Sequence, residues 1–172
     1  MDRALDSLLS NLLEKSLMEE EFVLEVAYSQ VAVFWADLPE PFNDWSDAHV
    51  EQGFSWRQGS VSFKTLDAAG KIRISVTTQH LDLGDSSANR IICVPFNVRR
   101  GGKIEIATIA QSQRLEVPAG DYSLTFEHGT DSRGMWCALR FVQTTDEVIP
   151  EIVRADSDLS PTIPLLMEAS PG

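Results

Sequence analysis

Three histidines, His49, His80 and His128, are the side chains of this chain best suited to metal ligation or proton transfer. No HxH or HxxxH spacing gathers them, so no metal site is expected from their pattern. No serine stands in a strand–turn–helix elbow, and no glycine-rich loop follows a strand signal where it would cradle phosphate. Asp82, Asp85 and Ser86 in one loop and Asp131 in another offer oxygen ligands of the kind that hold calcium between loops. Their spacing is loose and their oxygens few, which favours ordinary turn residues. A calcium- or lipid-binding module is the alternative function that these loops support. With no residue to name as catalyst, the chain reads as a non-enzyme that needs no cofactor.

Carboxylates are the other chemistry on offer. Residues 16–56 hold nine Asp and Glu and no Lys or Arg. At their centre lies Asp44-Trp45-Ser46-Asp47-Ala48-His49-Val50-Glu51-Gln52-Gly53-Phe54, which reads as a short helical turn. Ser46 is a suitable N-cap, Asp47 suits the first turn, and Gly53 is the stop. Trp45, Gly53 and Phe54 fit a structural role, Trp45 alternatively serving as an anchor for a partner. Asp37, Glu40, Asp44, Asp47 and Glu51 have no countercharge nearby in the sequence. The candidate partner-binding set is therefore Asp37, Glu40, Asp44, Trp45, Asp47 and Glu51, facing something positively charged.

The net charge is −12, which argues against direct binding of nucleic acid, since phosphates need clustered Lys and Arg. The charge is also partitioned. Residues 57–114 carry nine bases against four acids, whereas 1–56 carry twelve acids against two bases.

The elements that would position these groups read as all-β. Residues 1–20 carry Leu5, Leu8, Leu9, Leu12, Leu13 and Leu17 at helical spacing, the pattern of an amphipathic N-terminal helix. It could pack on the body or pair two copies as a homodimer. Its polar face is acidic, unlike that of a membrane-surface helix. Residues 21–145 alternate β-branched and aromatic residues in short runs: Phe22–Tyr28, Gln30–Trp35, Ser60–Leu66, Ile72–Gln79, Arg90–Val98, Lys103–Ile109, Arg114–Val117, Tyr122–His128 and Met135–Gln143. Gly, Asp and Ser turns separate most of them. This predicts an antiparallel β-sandwich of about eight strands with one short helical turn, a closed barrel being the alternative. Residues 146–172, rich in Pro and Asp, read as an acidic tail extended in solution.

Cys93 and Cys137 lie singly in apolar strand-like runs and read as buried thiols of a reducing compartment. The N-terminus lacks a basic region followed by an apolar core, and no apolar run is long enough to span a membrane. A cytoplasmic location is expected.

Three ordered blocks stand out along the chain. The first is Asp44-Trp45-Ser46-Asp47 with Val50-Glu51-Gln52-Gly53-Phe54, leading into Gly59-Ser60-Val61-Ser62-Phe63. The second is Val94-Pro95-Phe96-Asn97-Val98 with Ile104-Glu105-Ile106. The third is Leu115-Glu116-Val117-Pro118-Ala119-Gly120-Asp121-Tyr122-Ser123-Leu124-Thr125. Together they span roughly residues 25–145 and resemble the competence protein ComJ family, small bacterial inhibitors of the DNA-entry nuclease; the N-terminal helical segment and the longer acidic tail depart from the family pattern. The resemblance implies a non-enzymatic inhibitor whose partner is a nuclease with a basic DNA-binding cleft. The setting would be DNA uptake, or immunity to a secreted nuclease toxin. No interface residues are carried over from the family; the acidic set above rests on charge alone.

Overall fold

The computed structural model describes residues 3–7, 18–78 and 87–172. Its elements run β1 (Glu19–Val26), β2 (Gln30–Trp35), α1 (Asp47–Gln52), β3 (Phe54–Arg57), β4 (Ser60–Lys64), β5 (Gly70–Thr77) and β6 (Arg90–Val98). They continue with β7 (Lys103–Ala107), β8 (Ser112–Glu116), β9 (Gly120–Asp131), β10 (Gly134–Gln143) and β11 (Glu151–Arg154). The strands form two sheets, ordered β1-β5-β10-β9-β6-β11 and β3-β4-β2-β7-β8.

The chain is thus all-β in two sheets, and every strand expected between Phe22 and Gln143 has a counterpart. The described strands number eleven rather than about eight. The additions, β3 and β11, are only four residues each, too short to show alternation. Nor is the pairing wholly antiparallel: β10 runs parallel to β5, from Met135 opposite Ile72 to Arg140 opposite Thr77. Alternation reports which face is buried and carries no information on direction.

One main core lies between the sheets. Along β6, Ile92, Val94, Phe96 and Val98 point inward, and Tyr122, Leu124 and Phe126 do so along β9. Across from them stand Val31 and Val33 of β2 and Val61 and Phe63 of β4. Phe63 stacks on Phe126 with ring centroids 4.5 Å apart, joining the two sheets directly. Burying each such side chain stabilises the fold by roughly 2–3 kcal/mol.

Two tryptophans finish what the strand ladder leaves open. β11 pairs with β6 only over Ile91–Cys93, so the edge beyond is free to hold Pro95, which has no N–H to offer. There the Trp56 indole donates to the Pro95 carbonyl at 2.8 Å, and Trp35 donates to that of Asn97 at 2.7 Å. Both indoles come from the opposite sheet, so they satisfy the edge and pin the layers together.

The ends of the chain differ from expectation. Residues 3–7 are helical and exposed, but the rest of the expected helix lies outside the described residues up to Met18, and Glu19 already begins β1. The three glutamates Glu19, Glu20 and Glu21 therefore mark a charged edge strand, a common device against edge-to-edge association. The tail is extended, as expected, yet it is docked rather than free. β11 joins the larger sheet, Leu159 is buried, Leu165 and Met167 pack against the core, and Pro171 bridges to Asn43. Its apolar residues are spaced by prolines and fill separate sites, so no periodicity announces them.

A candidate partner interface

The acidic segment is laid across the outer face of the five-stranded sheet by its own apolar residues. Leu38 and Phe42 cover Ala32, Phe34 and Ala107, with Phe42 meeting Phe34 edge-on at 5.6 Å. Buried Asn43 is the fastener. Its amide nitrogen donates to the carbonyls of Ser55 at 2.8 Å and Ser60 at 3.1 Å, and its oxygen accepts from Arg57 Nε at 2.7 Å. Arg57 also donates to the Glu40 carbonyl, holding Glu40 in a left-handed conformation with φ 46°.

The turn of helix α1 forms where the sequence placed it. The Ser46 hydroxyl accepts from the His49 N–H, and the Ser46 N–H donates back to His49 Nδ1 at 3.0 Å, a reciprocal cap. That acceptor role puts the imidazole proton on Nε2, which donates to the Glu168 carbonyl at 2.8 Å. Gly53 ends the helix with φ 82°, where a side chain would be strained. Trp45 is half-buried, its indole N–H directed at Gln30 Oε1 at 3.3 Å and its ring edge-on to His49. These contacts hold the helix to the sheet.

The candidate carboxylates do not share one environment. Asp37 is exposed but not unpaired: Arg99, stacked on the Trp35 ring, lies 2.5 Å from it. An exposed pair of this kind contributes at most about 1 kcal/mol. Asp44 is exposed too, yet its Oδ1 accepts the Ser170 N–H at 2.8 Å. Glu40, Asp47 and Glu51 are exposed and form no ion pair among the described residues. Asp47 and Glu51, four apart on α1, share one helical face, with Asp44 just before it. Asp37 stands apart, beside the turn after β6.

What the sequence reading missed is the neighbour of this face. The C-terminal segment runs along residues 42–52 and bonds to them repeatedly. The Ser160 N–H donates to the Glu51 carbonyl at 2.9 Å, and Gln52 exchanges two bonds with the backbone of Leu166. The Asp44 N–H donates to Ser170, and the Gly172 N–H to Phe42. Only the apolar residues of Pro164-Leu165-Leu166-Met167 hinted at docking.

The rival chemistries fare differently. His128 is buried, donates from Nδ1 to the Trp136 carbonyl at 2.7 Å and accepts the Leu66 N–H on Nε2 at 2.9 Å. Burial pushes its pKa down to about 4, outweighing the opposing pull of the Trp136 carbonyl. His49 and His128 thus each spend both ring nitrogens on local structure. Asp131 receives Arg73 at 2.6 Å and the Arg133 N–H at 2.8 Å, and both hold its carboxyl below the usual range. His80, Asp82, Asp85 and Ser86 lie outside the described residues.

Comparison with known proteins bears on this architecture directly. A curated relative from Bacillus subtilis (strain 168), named DNA-entry nuclease inhibitor, is 33% identical over 106 residues, covering 59% of this chain and 76% of the relative. A solved structure described as ComJ, inhibitor of the DNA degrading activity of NucA, from Bacillus subtilis, superposes with a TM-score of 0.64 at 25% identity. The match covers 74% of this chain and 99% of that one. The family model for competence protein J (ComJ) matches residues 23–142, from within β1 to near the end of β10. Two sheets, the capped turn at Ser46 and most of the core fall inside that span, and the chain belongs to the ComJ family.

Proposed function

We propose that this chain is a non-enzymatic inhibitor that binds a DNase through the carboxylate face around α1. The named activities of its relatives support the class of partner. The observation that carries the site is the pair Asp47 and Glu51, solvent-facing on one helical turn beside Asp44 and without a cation among the described residues. A nuclease must offer a positive cleft to phosphates, so a protein that occupies it gains from carboxylates held on a rigid element. Complementary fields also speed the encounter. Glu40 extends the face along the sheet, with Asp37, paired with Arg99, standing apart at its margin; Asp44 serves both the face and the docking of the C-terminus. Trp45 belongs to the scaffold of the site. The protein acts in the cytoplasm on this reading, and the leucine stripe near the N-terminus would serve to pair two copies.

The test is a DNA-degradation assay with NucA, into which the chain and its Asp47→Lys/Glu51→Lys variant are titrated. Inhibition should weaken by about ten-fold or more, mainly through slower association that is most marked at low salt. The unfolding free energy should change by no more than about 1 kcal/mol, since both sites are exposed. Undiminished inhibition by the variant would place the contact elsewhere.

A further inference from the structure

We propose that the C-terminal segment supplies the apolar centre of the nuclease-binding surface, a groove that seats an apolar side chain from the partner's basic face. The inference rests on the inhibitor reading above. The groove has a volume of about 420 Å³ and is lined by Ile149, Pro150, Ile152, Pro161, Ile163 and Leu165.

Charge alone makes a fast but weak complex; tight interfaces add a desolvated apolar cluster near their middle. The tryptophans of the acidic region are committed elsewhere. Trp45 is directed at Gln30 and packed on His49, while Trp56 caps Pro95. Tyr28, Leu5 and Val23 are exposed elsewhere, but the two most exposed large aliphatic side chains among the described residues are on the tail: Ile149 and Ile163 are each 76% exposed.

Three observations join this groove to the acidic face and define its occupant. Ser160 is bonded to Glu51 and Leu166 to Gln52, so the groove wall from Pro161 to Leu165 lies between two attachments to α1. Half-exposed Val50 adds apolar surface on α1 next to Glu51, the residue that holds Ser160. Exposed Glu151 lines the groove, exposed Glu51 holds the start of its wall through Ser160, and among the described residues no basic side chain lines it. A basic protein surface fits such a rim. A second copy seated groove to groove would bring Glu151 against Glu151.

The groove is also preformed. Leu159 is buried beneath Gly53, and Asp156 is paired with fully buried Arg90, so the segment is fixed on both sides of the turn that leads into Pro161. A rigid surface loses less entropy on binding. Because it lies beyond residue 142, where the family match ends, the groove would add to a contact that the family's shared span already makes.

The test uses the full chain carrying Ile149→Ser/Ile163→Ser, with NucA as the probe and wild type and Asp47→Lys/Glu51→Lys alongside. Dissociation should accelerate by about ten-fold or more, with association rate and salt dependence close to wild type. Circular dichroism and the unfolding midpoint confirm that the fold is kept. If the acidic variant weakens inhibition and the isoleucine variant does not, the groove is overturned while the acidic site stands. The converse result keeps the groove and removes the acids. If neither weakens inhibition, or wild type leaves NucA active, both readings fall. If wild type sediments as a dimer, the isoleucine variant as a monomer, and inhibition is equal, the groove is a self-contact and the proposal is overturned.

Discussion

Arg90 and Asp156 form a two-pronged ion pair, Nε to Oδ2 at 2.6 Å and Nη2 to Oδ1 at 3.0 Å, with the guanidinium fully buried. The remaining donor, Nη1, reaches the Lys64 carbonyl at 3.0 Å. One side chain at the start of β6 therefore ties together the larger sheet, the end of β4 in the smaller sheet, and the C-terminal segment. Burial by itself would raise the Asp156 pKa. The Arg90 bonds and charge, with the Asp158 N–H, outweigh it and hold the carboxyl below its ordinary value.

Replacing Asp156 by Ala would leave that guanidinium buried without its counterion. Because Asp156 keeps some solvent contact, the expected loss is about 3 kcal/mol, the low end for breaking a buried pair. Urea unfolding measures it, and amide exchange at Ser160 and Leu166 should quicken as the tail loosens. A change under about 1 kcal/mol would mean that Asp158, 3.7 Å from Arg90, takes over the role.

His128 makes folding acid-sensitive. Its folded pKa of about 4 lies below the ordinary 6.5, so the unfolded chain binds the proton more readily between those values. Stability from this group is complete above about pH 6.5, declines as pH falls, and is fully lost below about pH 4, with a total of about 3 kcal/mol. Asp156 and Asp131, both depressed, add losses at still lower pH, as each is protonated through its folded pKa. The His128→Gln variant should be less stable at pH 8 yet show a flatter decline from pH 6.5 to 4. An unchanged slope in thermal melts would contradict this assignment.

Gly53 joins helix, core and tail at one point. A Cβ built there would stand 2.9 Å from Leu159 Cδ2 and 3.2 Å from Ile92 Cδ1, at a φ of 82°. Gly53→Ala should cost roughly 2 kcal/mol, part from the left-handed backbone and part from displacing Leu159. In a Leu159→Ala background the steric part should vanish and the backbone part persist, so the double-mutant cycle would show a favourable coupling. Strictly additive losses would show that the two sites do not touch.

The sequence by itself determined the elements. Alternation located the strands from Phe22 to Gln143 except the four-residue β3, because a half-buried strand must place apolar residues at every second position whatever lies around it. The cap at Ser46 and the stop at Gly53 were equally legible, since both are decided by local backbone chemistry. The surplus of carboxylate without base over residues 16–56 was there to be counted. Only the tertiary structure decided which of those acids are free. Arg99 reaches Asp37 across 62 positions and Ser170 reaches Asp44 across 126, distances over which no local pattern carries a signal. The parallel match of β10 to β5 and the docking of the tail are of the same kind. Each depends on contacts between segments far apart in the chain, where a proline-spaced run such as Pro161 to Leu166 finds its place by shape rather than by period.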